Sequence, residues 1–218
     1  MIIAIDGTLA SGKGSIARRV ASWYGLPHMD TGRLYRATGV AAMNANADMR
    51  DGLALARLAE ALDLNDFSEA DLRTSEAGQA ASEVAAHSEV RAALLELQRA
   101  FANQAGGAIL DGRDIGTIVC PEADVKLWID ASPDERAKRR CLELEAAGHP
   151  ISITEMTRQL TERDARDRNR EDAPMVAAAD AVLIDTTDMS IDAAVDKARA
   201  VIDAVLATEK AASSSSED

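Results

Sequence analysis

Five short apolar runs punctuate the chain, separated by stretches with helical spacing. Ile2-Ile3-Ala4-Ile5 comes first. Pro27-His28-Met29-Asp30 is brief, and Ala108-Ile109-Leu110-Asp111 follows a glycine pair. Val125 to Asp130 reads Val-Lys-Leu-Trp-Ile-Asp, and Ala181 to Asp185 reads Ala-Val-Leu-Ile-Asp. Such near-continuous runs suit strands buried on both faces, and helices between them indicate a parallel α/β sheet. The runs stop at acidic residues: Asp6, Asp30, Asp111, Asp130 and Asp185. In open parallel sheets ligands bind beyond the carboxyl ends of the strands, so these aspartates stand where chemistry occurs.

The intervening segments carry clear helix signals. Ser132-Pro133-Asp134-Glu135 combines an N-cap, a proline at the first helical position and a capping-box glutamate. It predicts a helix to about Ala147, stopped by Gly148. Ser152-Ile-Thr-Glu155 starts a second helix that runs through Arg163 toward Pro174. Gly148-His149-Pro150 is the hinge between them, and this helix-hinge-helix predicts a lid. Ile191 to Leu206 is a final helix with Ala194, Val195, Ala198, Val201, Ile202 and Val205 on its apolar side. Residues 53–62 read as an amphipathic helix. Residues 76–101 read as helical with a break near His87-Ser88, while 44–51 and 65–75 are polar and loop-like. Residues 207–218 are small, polar and acidic, which predicts a disordered tail.

Chemistry enters with Gly7-Thr-Leu-Ala-Ser-Gly12-Lys13-Gly14-Ser15, placed between the first strand and a helical pattern containing Ile16, Ala17 and Val20. Strand, glycine-framed loop and helix form the context of a phosphate-binding loop. Backbone N–H groups converge on phosphate oxygens there, and the helix N-terminus adds partial positive charge. Lys13 reaches the outer phosphates. Against the G-x-x-x-x-G-K-S/T pattern, Gly14 stands where the hydroxyl is usual and Ser15 supplies it one residue later. That displacement favours a small-molecule kinase over a GTPase.

Composition narrows the class. The 218 residues make one domain with an aliphatic core, since Trp, Tyr and Phe number two each. A formal charge of −13 argues against nucleic acid polymers and anionic membranes as partners. Cys120 and Cys141 show no metal spacing, and His28, His87 and His149 are scattered. No apolar run is long enough to span a membrane and a strand begins at once, so a cytoplasmic enzyme is expected.

Arg163, Arg166, Asp167 and Arg170 are spaced to share one helix face. An alternating-charge surface ladder is the plain alternative. Yet in this acidic chain residues 136–170 hold nine Arg/Lys against six Asp/Glu. Phosphoryl transfer needs fixed cations around the reacting oxygens, and the arginine fork suits it. Asp111-Gly112-Arg113-Asp114 sets acceptors and a donor beyond the third strand. After the second, Thr31 or Asp30 can cap a helix that carries Arg36 one turn in.

At this point the chain resembles the bacterial cytidylate kinases, the CMP/dCMP members of the nucleoside monophosphate kinases. The resemblance covers nearly all of residues 2–206. It rests on Asp6-Gly7, Gly12-Lys13-Gly14, Asp30-Thr31-Gly32 with Tyr35-Arg36, Gln98-Arg99-Ala100-Phe101, Asp111 to Thr117 and Glu162 to Arg170, in that order. It implies a three-layer P-loop kinase fold, a five-stranded parallel sheet of order 2-3-1-4-5 with helices on both faces. One domain spans residues 1–206, with a helical monophosphate-binding segment at 31–104 and a short lid at 144–158. It further implies that Gly7, Thr8, Leu9, Ala10, Ser11, Gly12, Lys13, Gly14 and Ser15 hold ATP. Thr31 and Arg36 contact CMP, Ser82 and Asp114 read the cytosine edge beside Arg91, and Arg113 and Arg163 bind phosphate. Asp167 accepts from the sugar hydroxyl, and Arg170 helps hold the nucleotide and the transferring group. Arg136, Arg139 and Arg140 lie where the family contacts ATP, without a choice among them. Mg²⁺ falls to Ser15, with Asp6 and Asp111 acting through water.

Two departures stand out. The family often has Pro-x-Gly in the loop, where this chain has Thr8-Leu9-Ala10; alanine fits if its φ is negative. Many members carry a β-rich insertion that here is shortened to residues 63–75. The expected reaction is ATP with CMP, and with dCMP as a second acceptor, catalysed by Lys13, Arg163 and Arg170 in a monomer. The rivals are a kinase for UMP, AMP or shikimate, a non-catalytic nucleotide switch, and a vestigial α/β module.

Overall fold

The computed structural model describes residues 1–214. Its centre is a five-stranded sheet of β1 (Ile2–Gly7), β2 (His28–Asp30), β3 (Ala108–Gly112), β4 (Val125–Asp130) and β5 (Val182–Asp185). All pairings are parallel, in the order β2-β3-β1-β4-β5. The five apolar runs and the order expected from the resemblance are both borne out. Proline fixes the start of β2 at His28: Pro27 has no N–H to give, but its carbonyl accepts from Ile109 N at 2.9 Å.

Alternation along the central strand divides the core. Ile3 and Ile5 face α1 (Lys13–Tyr24) and α9 (Ile191–Ser214), meeting Ile16, Val20, Ala198 and Ile202. Ala4 faces the other way, packing with Leu110, Ile115 and Ala102. That second face is closed by α6 (Ser88–Ala102) and by a five-residue π turn at Ile115–Val119. The buried residues of both faces are aliphatic or small, with Tyr24 and Phe101 packed at their margins.

The excursion after β2 is helical, as expected: α2 (Thr31–Asn44), α3 (Gly52–Glu60), the single turn α4 (Glu69–Leu72), α5 (Ser75–Val84) and α6. The break falls at residues 85–87. The shortened segment is not a plain loop. It forms a 3₁₀ turn at Leu64–Asp66 and then α4, and Phe67 and Leu72 pack on Ala37, Val40 and Ala77. Gly39 lets α2 and α5 cross closely, since a Cβ there would stand 2.8 Å from Ala80 Cβ.

The two helices expected to form a lid are α7 (Pro133–Ala146) and α8 (Ile153–Arg168), joined by a turn in which Gly148 takes φ +82°. Leu144, Met156 and Leu160 form their shared core. α9 runs to Ser214, past the expected end at Leu206, so it takes in the first part of the segment expected to be a disordered tail. Residues 215–218 of that tail lie outside the described residues.

Candidate active site

The phosphate loop is built by steric necessity and then braced. A Cβ on Gly7 would overlap the Ile129 carbonyl, so only glycine lets β1 lie against β4 at that point. Thr8 is fully buried and donates to Asp130 Oδ1 at 2.6 Å. Ser11, also fully buried, donates to the Thr8 carbonyl at 3.0 Å. Thr186 Oγ1 donates to the Ser11 carbonyl at 2.8 Å. Gly12 turns at φ +91° into α1, whose N-terminus no side chain caps. Its first-turn N–H groups therefore face the cleft ready for an anion. Ala10 takes φ +61°, contrary to the negative angle that alanine prefers. The loop holds it in the left-handed region because its neighbours are pinned on both sides.

Beside this loop lies a cleft of about 240 Å³. It brings together Leu9, Ala10, Gly12, Lys13, Gly14 and Ser15 of the loop with Thr31, Arg36, Ser82, Arg91, Arg113, Asp114, Arg163, Asp167 and Arg170. Every acceptor-side residue expected from the sequence lines it. Gly7 and Thr8 do not; they frame the loop from behind. A second cleft of about 570 Å³ opens on the other side of the loop. Ser11, Ile16, Arg19, Leu142, Met189 and Ile191 are among its walls, and Gly12, Ser15, Arg18 and Glu143 border both clefts.

The first cleft concentrates positive charge in an acidic protein. Burial, and after it the nearby Arg113, push the Lys13 ammonium down to about 8. Burial and then Arg113 likewise lower Arg163 to about 10. Arg170 is lowered by burial and by Arg91. Arg163 Nη1 donates to the Gly78 carbonyl at 2.9 Å and Arg113 Nε to Asp167 Oδ2 at 3.4 Å. Arg36 pairs with Asp30 at 2.7 Å. Burial works against ionising Asp30, yet Arg36 and then Lys13 hold it below the usual carboxylate range.

The cleft also holds a polar group around Asp114. Asp114 pairs with Arg91, which also donates to Tyr35 Oη at 3.3 Å. Ser82 is 3 % exposed, and its hydroxyl has no hydrogen-bond partner. Arg163 Nε and Arg170 Nε are buried without partners as well. Buried polar atoms rarely stay unpaired, so these three point to a ligand.

Several expectations need correction. Asp6 cannot serve a metal from where it lies. It is 4 % exposed, and its two oxygens accept from Ile115 N and Gly116 N, each at 2.8 Å. It clamps the π turn behind Asp114, and burial raises its carboxyl to about 7 despite those two bonds. Neither Asp30 nor Thr31 caps α2: Asp30 turns to Arg36, and Thr31 Oγ1 donates to the Asp111 carbonyl at 2.8 Å. The arginine face is not one face. Arg166 is exposed and lines a separate groove, and α8 ends at Arg168, so Arg170 stands on the following turn and donates to the Ala173 carbonyl at 2.8 Å. Among the three arginines on α7, Arg136 is buried against Asp164, Arg139 braces Thr186 and lines the larger cleft, and Arg140 pairs with Glu143.

Sequence reasoning missed Arg18, Tyr35 and Glu143 as cleft residues, and His28, whose Nε2 lies 2.7 Å from Asp111 Oδ2. Tyr35 follows Arg33 and Leu34 one turn into α2 and was legible from the helical period; Glu143 was not, because it depends on how α7 packs against the rest of the fold. No group of three metal-ligating side chains occurs among the described residues. Cys120 is buried, which pushes its thiol up to about 11, and Glu122 adds to the rise.

A family model described as cytidylate kinase matches residues 3–204. A cytidylate kinase of Cereibacter sphaeroides is 56 % identical over 196 residues, covering 90 % of this chain and 92 % of that protein. One from Methylocella silvestris is 49 % identical over 203 residues, covering 93 % and 94 %. One from Caulobacter vibrioides is 48 % identical over 202 residues, covering 93 % and 95 %. Among solved structures, an uncharacterized protein from Eubacterium ventriosum shares the fold, with a TM-score of 0.55 at 15 % identity over 93 % of this chain and 98 % of that one.

Proposed function

This chain belongs to the cytidylate kinase family, and we infer from its paired clefts that it transfers the γ-phosphoryl group of ATP to CMP, giving ADP and CDP. The loop from Gly7 to Ser15 holds the triphosphate, with the larger cleft taking the nucleoside of ATP. Thr31, Arg36, Ser82, Arg91, Arg113, Asp114, Arg163, Asp167 and Arg170 hold CMP. A CMP phosphate oxygen forms the new bond to the γ-phosphorus as the bond to the bridging oxygen breaks, and that oxygen leaves on ADP. The attacking oxygen is already ionised, so no general base is needed, in keeping with a lining that contains no histidine. Catalysis is then positioning and charge neutralisation by Lys13, Arg163 and Arg170.

Magnesium fits this donor set. Ser15 lines the cleft, and Asp111 Oδ1 faces the loop, 3.8 Å from where a Gly14 Cβ would stand, while Oδ2 is held by His28. Ser15 would hold the ion directly and Asp111 through water, supplying a charge that shields the β- and γ-phosphates. Asp6 takes no part.

Beyond CMP, dCMP is a second acceptor: Asp167 is the only carboxylate assigned to the sugar, and Arg113 holds it whether or not a 2′-hydroxyl is present. Residues 31–104 and 144–158 are the parts that close over the nucleotides. We take the protein to be a cytoplasmic monomer, with its acidic surface keeping copies apart. No helix among the described residues is long and apolar enough to cross a membrane.

One observation carries the choice of acceptor. The unpartnered Ser82 hydroxyl and the Asp114 carboxylate line the same cleft as Lys13. A carboxylate there accepts from the exocyclic amino group of cytosine, whereas uracil offers a carbonyl. ADP formation measured with CMP, dCMP, UMP, AMP and GMP tests the reading. CMP and dCMP are expected to drive it, UMP weakly, and the purines hardly at all. Faster turnover of UMP or AMP than of CMP would reject it.

A further inference from the structure

Arg136 is 3 % exposed and faces neither cleft, yet it uses all three guanidinium nitrogens. Nε donates to the Ala131 carbonyl just past β4 at 3.0 Å, Nη1 to the Leu9 carbonyl in the phosphate loop at 3.3 Å, and Nη2 to Asp164 Oδ2 on α8 at 2.7 Å. A planar fork can hold three such partners at fixed angles, and a lysine cannot. Leu9 is tied a second time, by its side chain, which packs on the α7–α8 cluster of Ala137, Leu144, Met156 and Leu160. The residue after it is the left-handed Ala10.

The pair is poorly explained by stability alone. Asp164 is 4 % exposed and its Oδ1 is buried without a partner. Buried ion pairs often gain little over apolar residues of the same size, and a half-satisfied one gains less. What the pair does supply is a fixed distance. Asp164 is the residue next to Arg163, one of the three cations assigned to the charge of the transferring phosphoryl group, while Leu9 belongs to the loop assigned to ATP.

We propose that Arg136 and Asp164 are positioning residues for phosphoryl transfer: they lock the phosphate loop at Leu9 to α8, and so set Arg163 on the γ-phosphoryl group. This rests on the kinase reading above. The pair touches no substrate and acts only by setting where Arg163 stands relative to the loop. Misplacing a reacting group by an ångström can cost about 10²-fold in rate. Loss of the pair therefore lowers kcat more than it weakens nucleotide binding.

The test compares Asp164→Asn and Arg136→Lys, each alone and combined with Arg163→Ala. The readouts are kcat for CMP, equilibrium binding of ATP and of CMP, and the thermal midpoint. Each single variant is expected to lose roughly tenfold or more in kcat while both dissociation constants stay within about threefold. On the Arg163→Ala background the same changes should cost less than about twofold further, because the residue through which they act is gone. A single-variant kcat within twofold of the wild type overturns the proposal. So does a loss that multiplies in full with that of Arg163→Ala, which marks a general structural role. If Asp164→Asn does not fold, Asp164→Glu keeps the charge one methylene out of place, and its non-additivity with Arg163→Ala decides by the same criterion. A wild type without CMP-dependent ADP formation would instead defeat the kinase reading.

Discussion

At the scale of single residues, Ala10 and Lys13 carry the sharpest consequences. Ala10 sits at φ +61°, where a Cβ costs roughly 1–2 kcal/mol, while glycine loses about 0.4–1 kcal/mol through the greater freedom of the unfolded chain. Ala10→Gly should thus stabilise slightly, raising the thermal midpoint by about 1–3 °C for a chain of this size. A lower midpoint would mean that the loop gains from the alanine side chain. Lys13→Ala should cut kcat by about 10²-fold or more with the thermal midpoint little changed, as for other lost electrostatic contacts to a transition state. Near-normal turnover would remove Lys13 from catalysis. Burial leaves the Lys13 ammonium at about 8, and only the protonated form attracts phosphate. In the free enzyme kcat/KM for ATP should therefore be full well below pH 8 and fall as pH rises through it, and Lys13→Arg should move that limb upward. A flat profile to pH 9.5 would contradict the assignment.

At the scale of elements, the acceptor half rests on how closely α2 and α5 approach. A Cβ at Gly39 would meet Ala80 C at 2.9 Å as well as its Cβ, with no flexible side chain to yield. Gly39→Ala should destabilise by about 1–3 kcal/mol in urea unfolding. Because α5 carries Ser82 and Gly78, KM for CMP should rise while KM for ATP holds. An unchanged KM for CMP would place the acceptor elsewhere. The elements also show where local reading stops. Ser132 and Ser152 do cap their helices, accepting from Glu135 N and Glu155 N. The partner glutamates go instead to Arg139 and Arg158, because a charged neighbour one turn on competes for the carboxylate. The complete capping box formed at Ser68 and Asp71, in a segment that reads as a polar loop. The π turn after Asp114 was invisible locally, since Asp6, over a hundred residues away, is what holds it.

At the scale of the whole molecule, an acidic chain folds so that arginines from five separate segments line one cleft. The strands and their order were legible because apolar runs and a glycine-framed loop are local signals, and the family pattern supplies the rest. Lys13 was legible from its glycine-framed loop, and Arg113 and Asp114 because they follow the end of β3. Arg136 was not: its charge looked like a ligand for ATP, and only the return of α8 shows that it is spent on Asp164. Arg166 failed in the opposite sense: the spacing sets it beside Arg163 and Asp167 on α8, but it is exposed and lines a different groove, while Arg170, two residues past the helix end, still reaches the cleft. The central claim is that the donor half and the acceptor half meet in one site that selects cytosine. The most direct test is the ratio of kcat/KM for CMP over UMP, measured for the wild type and for Asp114→Asn. A site built to hydrogen-bond one edge rejects the analogue lacking it strongly, so the ratio should be on the order of 10² or more and collapse toward one in the variant. A wild-type ratio near one, or a ratio that survives Asp114→Asn, would contradict it.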